Sequence, residues 1–240
     1  TTQFRDLIAH IEETGKLARA YFDADDTESE LKTDGSVVTR IDNEVETALV
    51  SYIHEHFPDD AIVAEEGASR EGTSSFVWHI DPIDGTDNFF RKIPFCAISV
   101  ARLGDGSEDS FGIVHNPITN QTFSSLREDG VYENQKVHQL NNDVVGGRAI
   151  IGVGHGREPW MKPAMYNLAK VAAKTFGKFQ GFGCQALEIA YVAANRFDGA
   201  LSYGLHSYDY AAGLYLVRAA GGRISVFENG RWQEWTRSLK

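Results

Sequence analysis

Between Ala97 and Asn134 the chain alternates short apolar runs with turns and shows no helical periodicity. Ile98 to Leu103, Phe111 to His115, Gln121 to Ser125 and Gly130 to Tyr132 each read as a strand. Such a run makes an antiparallel meander, whose apolar face must be covered. An amphipathic helix in need of a partner surface is written earlier in the chain. Phe4, Leu7, Ile8, Ile11, Leu17, Ala18, Tyr21 and Phe22 fall at helical spacing, and Val45, Leu49, Tyr52 and Ile53 mark a second helix beginning near Asp42. Between them lie an acidic, turn-like region from Asp23 to Glu30, a turn at Lys32-Thr33-Asp34-Gly35-Ser36 and an extended piece at Val37-Val38-Thr39.

After the polar stretch Asn141 to Arg148 the pattern changes to strand and helix in alternation. Ala149 to Val153 reads as a strand, Ala164 to Thr175 and Gln185 to Ala194 as helices, Phe197 to Ser202 as a strand, Tyr208 to Ala220 as a helix and Arg223 to Phe227 as a strand. The 240 residues therefore divide near position 140, into an α+β part over 1–140 and an α/β part over 141–240. A chain of this length buries a core without staples.

Two further apolar runs end in acids. Ala61-Ile62-Val63-Ala64 leads into Glu65-Glu66-Gly67, and Phe76-Val77-Trp78-His79-Ile80 into Asp81-Pro82-Ile83-Asp84-Gly85-Thr86. The second run sets Asp81 and Asp84 across a Pro-containing turn, so two carboxylates and a main-chain carbonyl can point at one spot. Mg²⁺ takes oxygen ligands of that kind, completed by water and phosphate oxygens. Gly85 permits close backbone approach, and Thr86 opens a helix whose N–H groups suit a phosphate. Asp-Gly is also a common turn dipeptide, and acids capping strands and helices account for the same residues. Asp209, in the first turn of the helix Tyr208 to Ala220, is the further acid that could converge here.

Charge bears on partners. Twenty-three basic against 34 acidic residues give a net charge of -11, so no nucleic acid is expected as a partner. The same excess would repel an anionic substrate unless cations sit between it and the carboxylates. Cys96 and Cys184 form no disulfide framework or zinc spacing, which points to a reducing compartment. Neither a membrane span nor a signal peptide is evident, and a cytoplasmic location is expected.

Asp81-Pro82-Ile83-Asp84-Gly85-Thr86-Asp87-Asn88-Phe89 resembles the signature of the inositol monophosphatase family. Val38-Thr39-Arg40-Ile41-Asp42, Glu65-Glu66-Gly67, Tyr208-Asp209-Tyr210-Ala211-Ala212-Gly213 and Ala219-Ala220-Gly221-Gly222 agree in order. The resemblance implies a layered α-β-α-β-α sandwich, usually dimeric, and a Mg²⁺-dependent, lithium-sensitive phosphomonoesterase. It implies that Glu65, Asp81 and the Ile83 carbonyl bind one Mg²⁺ and that Asp81, Asp84 and Asp209 bind a second, with Glu65 able to help hold a third. Asp42 and Thr86 would orient and deprotonate the attacking water, and the Gly85 and Thr86 N–H groups would hold phosphate oxygens. Gly183, Cys184 and Ser202 would complete the substrate side, beside Glu65, Asp84 and Asp209.

Two departures concern the substrate. Gln180 replaces an arginine common in the family, and Ser202 stands where inositol-handling members carry a Glu that bonds a ring hydroxyl. The expected substrate is therefore a small phosphate monoester: inositol monophosphate or a related sugar or polyol phosphate, with histidinol phosphate as the alternative. From another class comes a non-catalytic regulatory or RNA-machinery-binding protein that keeps the fold.

Overall fold

The computed structural model describes residues 2–24, 29–31, 37–134, 136–138, 148–156, 161–175, 177–228 and 230–235. The expected turn Lys32 to Ser36, most of the stretch Asn141 to Arg148 and part of the acidic region after Asp23 lie outside the described residues.

The N-terminal helices are α1 (Thr2–Asp23) and α2 (Arg40–His56), with a short antiparallel pair, β1 (Ser29–Leu31) and β2 (Val37–Thr39), between them. Ser29 and Glu30 fall within the region expected as turn; pairing of Ser29–Leu31 with Val37–Thr39 makes a strand there. α1 buries Leu7, Ile11 and Ala18, and α2 buries Ile41, Val45, Leu49 and Ile53, against Trp78, Ile80, Ile98, Val100 and Ile113 of the main sheet. Gly15 is required in α1 because a Cβ there would meet the buried His115 ring at 2.4 Å.

The main sheet has seven strands in sequence order: β3 (Ala61–Ala64), β4 (Val77–Asp84), β5 (Ala97–Gly104), β6 (Gly106–Asn116), β7 (Gln121–Leu126), β8 (Val131–Glu133) and β9 (Lys136–His138). β3 and β4 are parallel and the rest antiparallel, so the meander is present and extends to β4 on one side and β9 on the other. A short helix, α3 (Thr86–Phe90), follows β4.

Beyond residue 148 come β10 (Ile150–His155), α4 (Met161–Thr175), β11 (Lys178–Gln180), α5 (Gln185–Ala193), β12 (Gly199–Tyr203), α6 (Ser207–Ala219) and the hairpin β13 (Ser225–Glu228) and β14 (Arg231–Glu234). β10 lies between β11 and β12, parallel to both. α6 packs on β4, β5 and β6, α5 packs on α6 and on β10 and β12, and α4 covers β10 and β11. The order is helix pair, large sheet, helix pair, small sheet, helix, which is the layered α/β sandwich the family resemblance implies. Its second core sets Leu187, Ile189, Ala211, Tyr215 and Leu216 against Ala97, Ala101, Val114 and Phe123. Ala is the commonest residue where α5, α6 and the sheet meet, and Gly213 leaves 2.8 Å between its absent Cβ and Ile189.

Candidate active site

β4 carries the acidic motif further than the sequence suggests. The expected turn at Asp81-Pro82 is instead strand as far as Asp84. Proline has no N–H for a sheet ladder and is tolerated inside a sheet at irregularities, and the β4–β5 register shifts between Asp81 and Asp84. The shift bulges Pro82 and Ile83 out of the ladder, which resumes with Asp84 against Ala97, while Asp81 stays buried at 1% exposure.

Gly85 then takes φ 85° and starts α3. A Cβ at this position would lie 3.0 Å from Gly183 O and 3.1 Å from both Cys184 Cβ and Phe95 O, so both conformation and space demand glycine. The Asn88 amide donates to Phe95 O at 2.8 Å and to Phe182 O at 2.6 Å, which fixes the loop after Gln180 against α3.

Four carboxylates act on one another here. Burial, then the charges of Glu65, Asp84 and Asp209, push the Asp81 carboxyl well above its ordinary value, and a hydrogen bond with Glu65 adds to this. Burial and the charge of Asp209 push Asp84 up as well, opposed by the Ala186 N–H and the Cys184 thiol. Ala186 N–H donates to Asp84 Oδ2 at 2.5 Å. Asp209 Oδ2 accepts from His206 N–H at 2.7 Å, which holds it in the first turn of α6. Glu65 follows β3, where Glu46 of α2 accepts from Glu66 N–H at 2.7 Å and Ala68 N–H at 3.0 Å. Glu46 escaped the sequence reading because nothing local marks a helix acid that ties down a distant loop.

Asp42, fully buried in the first turn of α2, faces Thr86. The Thr86 hydroxyl lies 3.0 Å from Ile83 O and 3.4 Å from Asp42 Oδ1. One proton thus has two acceptors in reach.

The donor set suits a hard cation. Asp81 Oδ1 is buried with no hydrogen-bond partner among the described residues, beside three further carboxylates that repel it. Such a gathering is costly without positive charge. Among the described residues no three His, Cys, Asp or Glu side chains already close around one point. The fit therefore lies in donor type, burial and mutual repulsion.

The substrate-side residues are more scattered. Cys184 is fully buried, which pushes its thiol well above its ordinary value, and the thiol bonds Asp84. Gly183, at φ 77°, abuts the Asn88 side chain. Ser202 is exposed on β12, paired with Gly154 of β10. His206, just before α6, is exposed and stacks on Tyr208 at 5.1 Å. Three residues the sequence did not single out stand close by. Glu188 accepts from the Phe182 and Gly183 N–H groups. His79, pushed down by burial to about 4, bonds Ser207, and Ser99 bonds the Tyr208 carbonyl.

The chain belongs to the inositol monophosphatase family, whose sequence model matches residues 4–238. It is 33% identical over 217 residues to the Nus factor SuhB of Pasteurella multocida, covering 89% of this chain and 80% of that protein. It is likewise 33% identical over 225 residues to the Nus factor SuhB of Escherichia coli. Among solved structures it resembles the extragenic suppressor protein suhB of Bartonella henselae, with a TM-score of 0.83, 26% identity and coverage of 94% and 88%. An IMPase of Thermotoga maritima matches with a TM-score of 0.83, 28% identity and coverage of 96% and 87%.

These names correct one expectation. Relatives called Nus factors stand against the inference, drawn from net charge, that no nucleic acid is among the partners. Net charge averages over the whole surface, whereas a partner meets a local patch. Among the described residues no helix is long and apolar enough to cross a membrane.

Proposed function

We propose that the chain hydrolyses a small phosphate monoester with Mg²⁺ held by Glu65, Asp81, the Ile83 carbonyl, Asp84 and Asp209. The observation that carries this reading is the buried Asp81, its Oδ1 unpartnered, surrounded by the charges of Glu65, Asp84 and Asp209. Bound Mg²⁺ would supply the positive charge that admits a phosphate and makes a water acidic.

The rest falls to the chain's own groups. The Thr86 hydroxyl, in reach of both the Ile83 carbonyl and Asp42, would align the attacking water and take a proton from it while passing its own to the buried Asp42, 3.4 Å away. The Gly85 and Thr86 N–H groups hold phosphate oxygens, and the wall at Gly183 and Cys184 closes the far side. Asp84 and Asp209 border the leaving group, with Ser202 further out.

Substrate choice follows from what that wall offers. Membership of the family and the intact hydrolytic groups support an inositol monophosphate or a related sugar or polyol phosphate as the substrate, while the shorter Ser202 weakens one contact to a polyol ring and brings in histidinol phosphate as the alternative. The test is phosphate release across a panel of inositol, sugar and histidinol monophosphates, with and without Mg²⁺. No Mg²⁺-dependent release from any of them, or full release by Asp81→Asn, overturns the reading.

A second reading takes its support from the relatives named Nus factor SuhB: a regulatory role on the same fold, carried by surface rather than by the site. Co-purification with transcription machinery that persists in Asp81→Asn would support it beside, or in place of, catalysis.

A further inference from the structure

His79 lies two residues before Asp81 on β4, so both side chains leave the strand on one face. Ser99 of β5 is paired directly with Asp81 and shares that face. The first turn of α6 rests there. His79 Nδ1 is 2.9 Å from Ser207 Oγ, and the Ser99 hydroxyl donates to the Tyr208 carbonyl at 3.1 Å. Asp209 is the next residue, and its charge reaches both Asp81 and Asp84.

An imidazole is an expensive choice for this place. His79 is 4% exposed and its Nε2 has no partner among the described residues, so Nδ1 carries the ring's polar contact. An aliphatic residue would fill the same interior strand position at lower cost. What the imidazole adds is a directional tie across 128 positions of chain, ending two residues from Asp209. That tie opposes a specific force. The carboxylates of Asp81, Asp84 and Asp209 repel one another, and the repulsion pushes the start of α6 away from the sheet.

We propose that His79 is a positioning residue: by bonding Ser207, with Ser99 bonding the Tyr208 carbonyl, it pins the start of α6 and sets Asp209 against Asp81 and Asp84. This rests on the reading that these acids hold a divalent cation. The acids are then gathered during folding, so less of the cation's binding free energy goes into assembling them.

The experiment is calorimetric titration of Mg²⁺ into the full chain, which reads binding without turnover. His79→Leu and Ser207→Ala should each weaken the affinity by about three- to tenfold, as loss of one buried hydrogen bond does. The double variant should be little weaker than the stronger single one, because both remove the same bond. His79→Asn, whose amide reaches the Nδ1 position, should stay within about twofold of wild type.

Tyr215→Phe provides the comparison. It deletes the bond to Ser110 O, made by a residue later in α6, and should lower the melting temperature while leaving the Mg²⁺ titration unchanged. Should His79→Leu fail to fold, Ser207→Ala, which removes a single oxygen, carries the test. If wild type binds Mg²⁺ and both variants bind it equally well, or weaken only as far as Tyr215→Phe does, the inference is wrong and the proposed function stands. If wild type neither binds Mg²⁺ nor releases phosphate, both fall together.

Discussion

Asp84 accepts a hydrogen bond from the backbone N–H of Ala186, 102 positions later in the chain. The bond joins the end of β4 to the first turn of α5, and the Cys184 thiol adds a second donor. In Asp84→Asn the amide oxygen can keep both donors while one of the crowded charges is removed. The melting temperature should therefore hold or rise, while Mg²⁺-dependent phosphate release falls by at least about a hundredfold. Thermal melts beside a phosphate assay check both halves.

Gly85→Ala should be the most damaging small substitution at the site. It places a Cβ on a left-handed residue and drives it against Gly183 O, Cys184 and Phe95 O. Left-handed strain of about 1 kcal/mol and overpacking of about 1–3 kcal/mol add to a loss of roughly 2–4 kcal/mol, measured by urea unfolding.

The buried pair Asp60–Arg102 sets an acid limit on the fold. Burial alone would raise the Asp60 carboxyl, but hydrogen bonds from Arg102, Ser74 and Trp78, with the guanidinium charge, hold it below its ordinary 3.8. A depressed carboxyl contributes stability that is complete above the unfolded value and is lost as pH falls through the folded one. Asp60→Asn should remove that dependence below pH 3.8. It should also cost about 3–5 kcal/mol at neutral pH, because the Arg102 charge is left buried between Phe57 and Phe76. Unfolding free energies from pH 3 to 7 decide it.

His115 works in a higher window. Burial pushes its ring from 6.5 to about 4, while Nδ1 bonds the Thr122 hydroxyl, which donates to Glu12 of α1. A depressed imidazole stabilises fully above the unfolded value and loses that contribution as pH falls from 6.5 toward 4. The loss has an upper limit of about 3 kcal/mol. His115→Asn should flatten the dependence of stability on pH across that range.

Glu188 has the opposite sign. Burial raises it from 4.5 to about 7 against the bonds from Phe182 and Gly183, so its contribution is complete below 4.5 and is lost as pH rises through 7. Glu188→Gln keeps an oxygen for both N–H groups and should be more stable than wild type at pH 8, by about 1–3 kcal/mol in urea unfolding.

What the sequence made legible was whatever a short window contains. The periodicity of α1 and α2, the alternation of β5 to β7 and the acids after β3 and β4 could all be read locally. Pro82 misled, because a proline after an apolar run reads as a turn, and only the β4–β5 register shift shows how the strand absorbs it. Ser29 and Glu30 misled in the same way, since a three-residue strand draws its stability from its partner. The ties from His79 to Ser207, Glu46 to the loop after Glu65 and Ala186 to Asp84 had no local signature, because each joins ordinary residues that only the fold brings together.

The wedge of Gly85 between Gly183, Cys184 and Phe95 carries a last implication. A growing polypeptide that has emerged only to residue 140 already holds Asp42, Glu65, Asp81 and Asp84, but it lacks both the surface against which Gly85 fits and the N–H that seats Asp84. The acids would stand in water, mutually repelled. Truncation anywhere before Asp209 thus leaves the acids of β3 and β4 without the carboxylate that α6 brings to them.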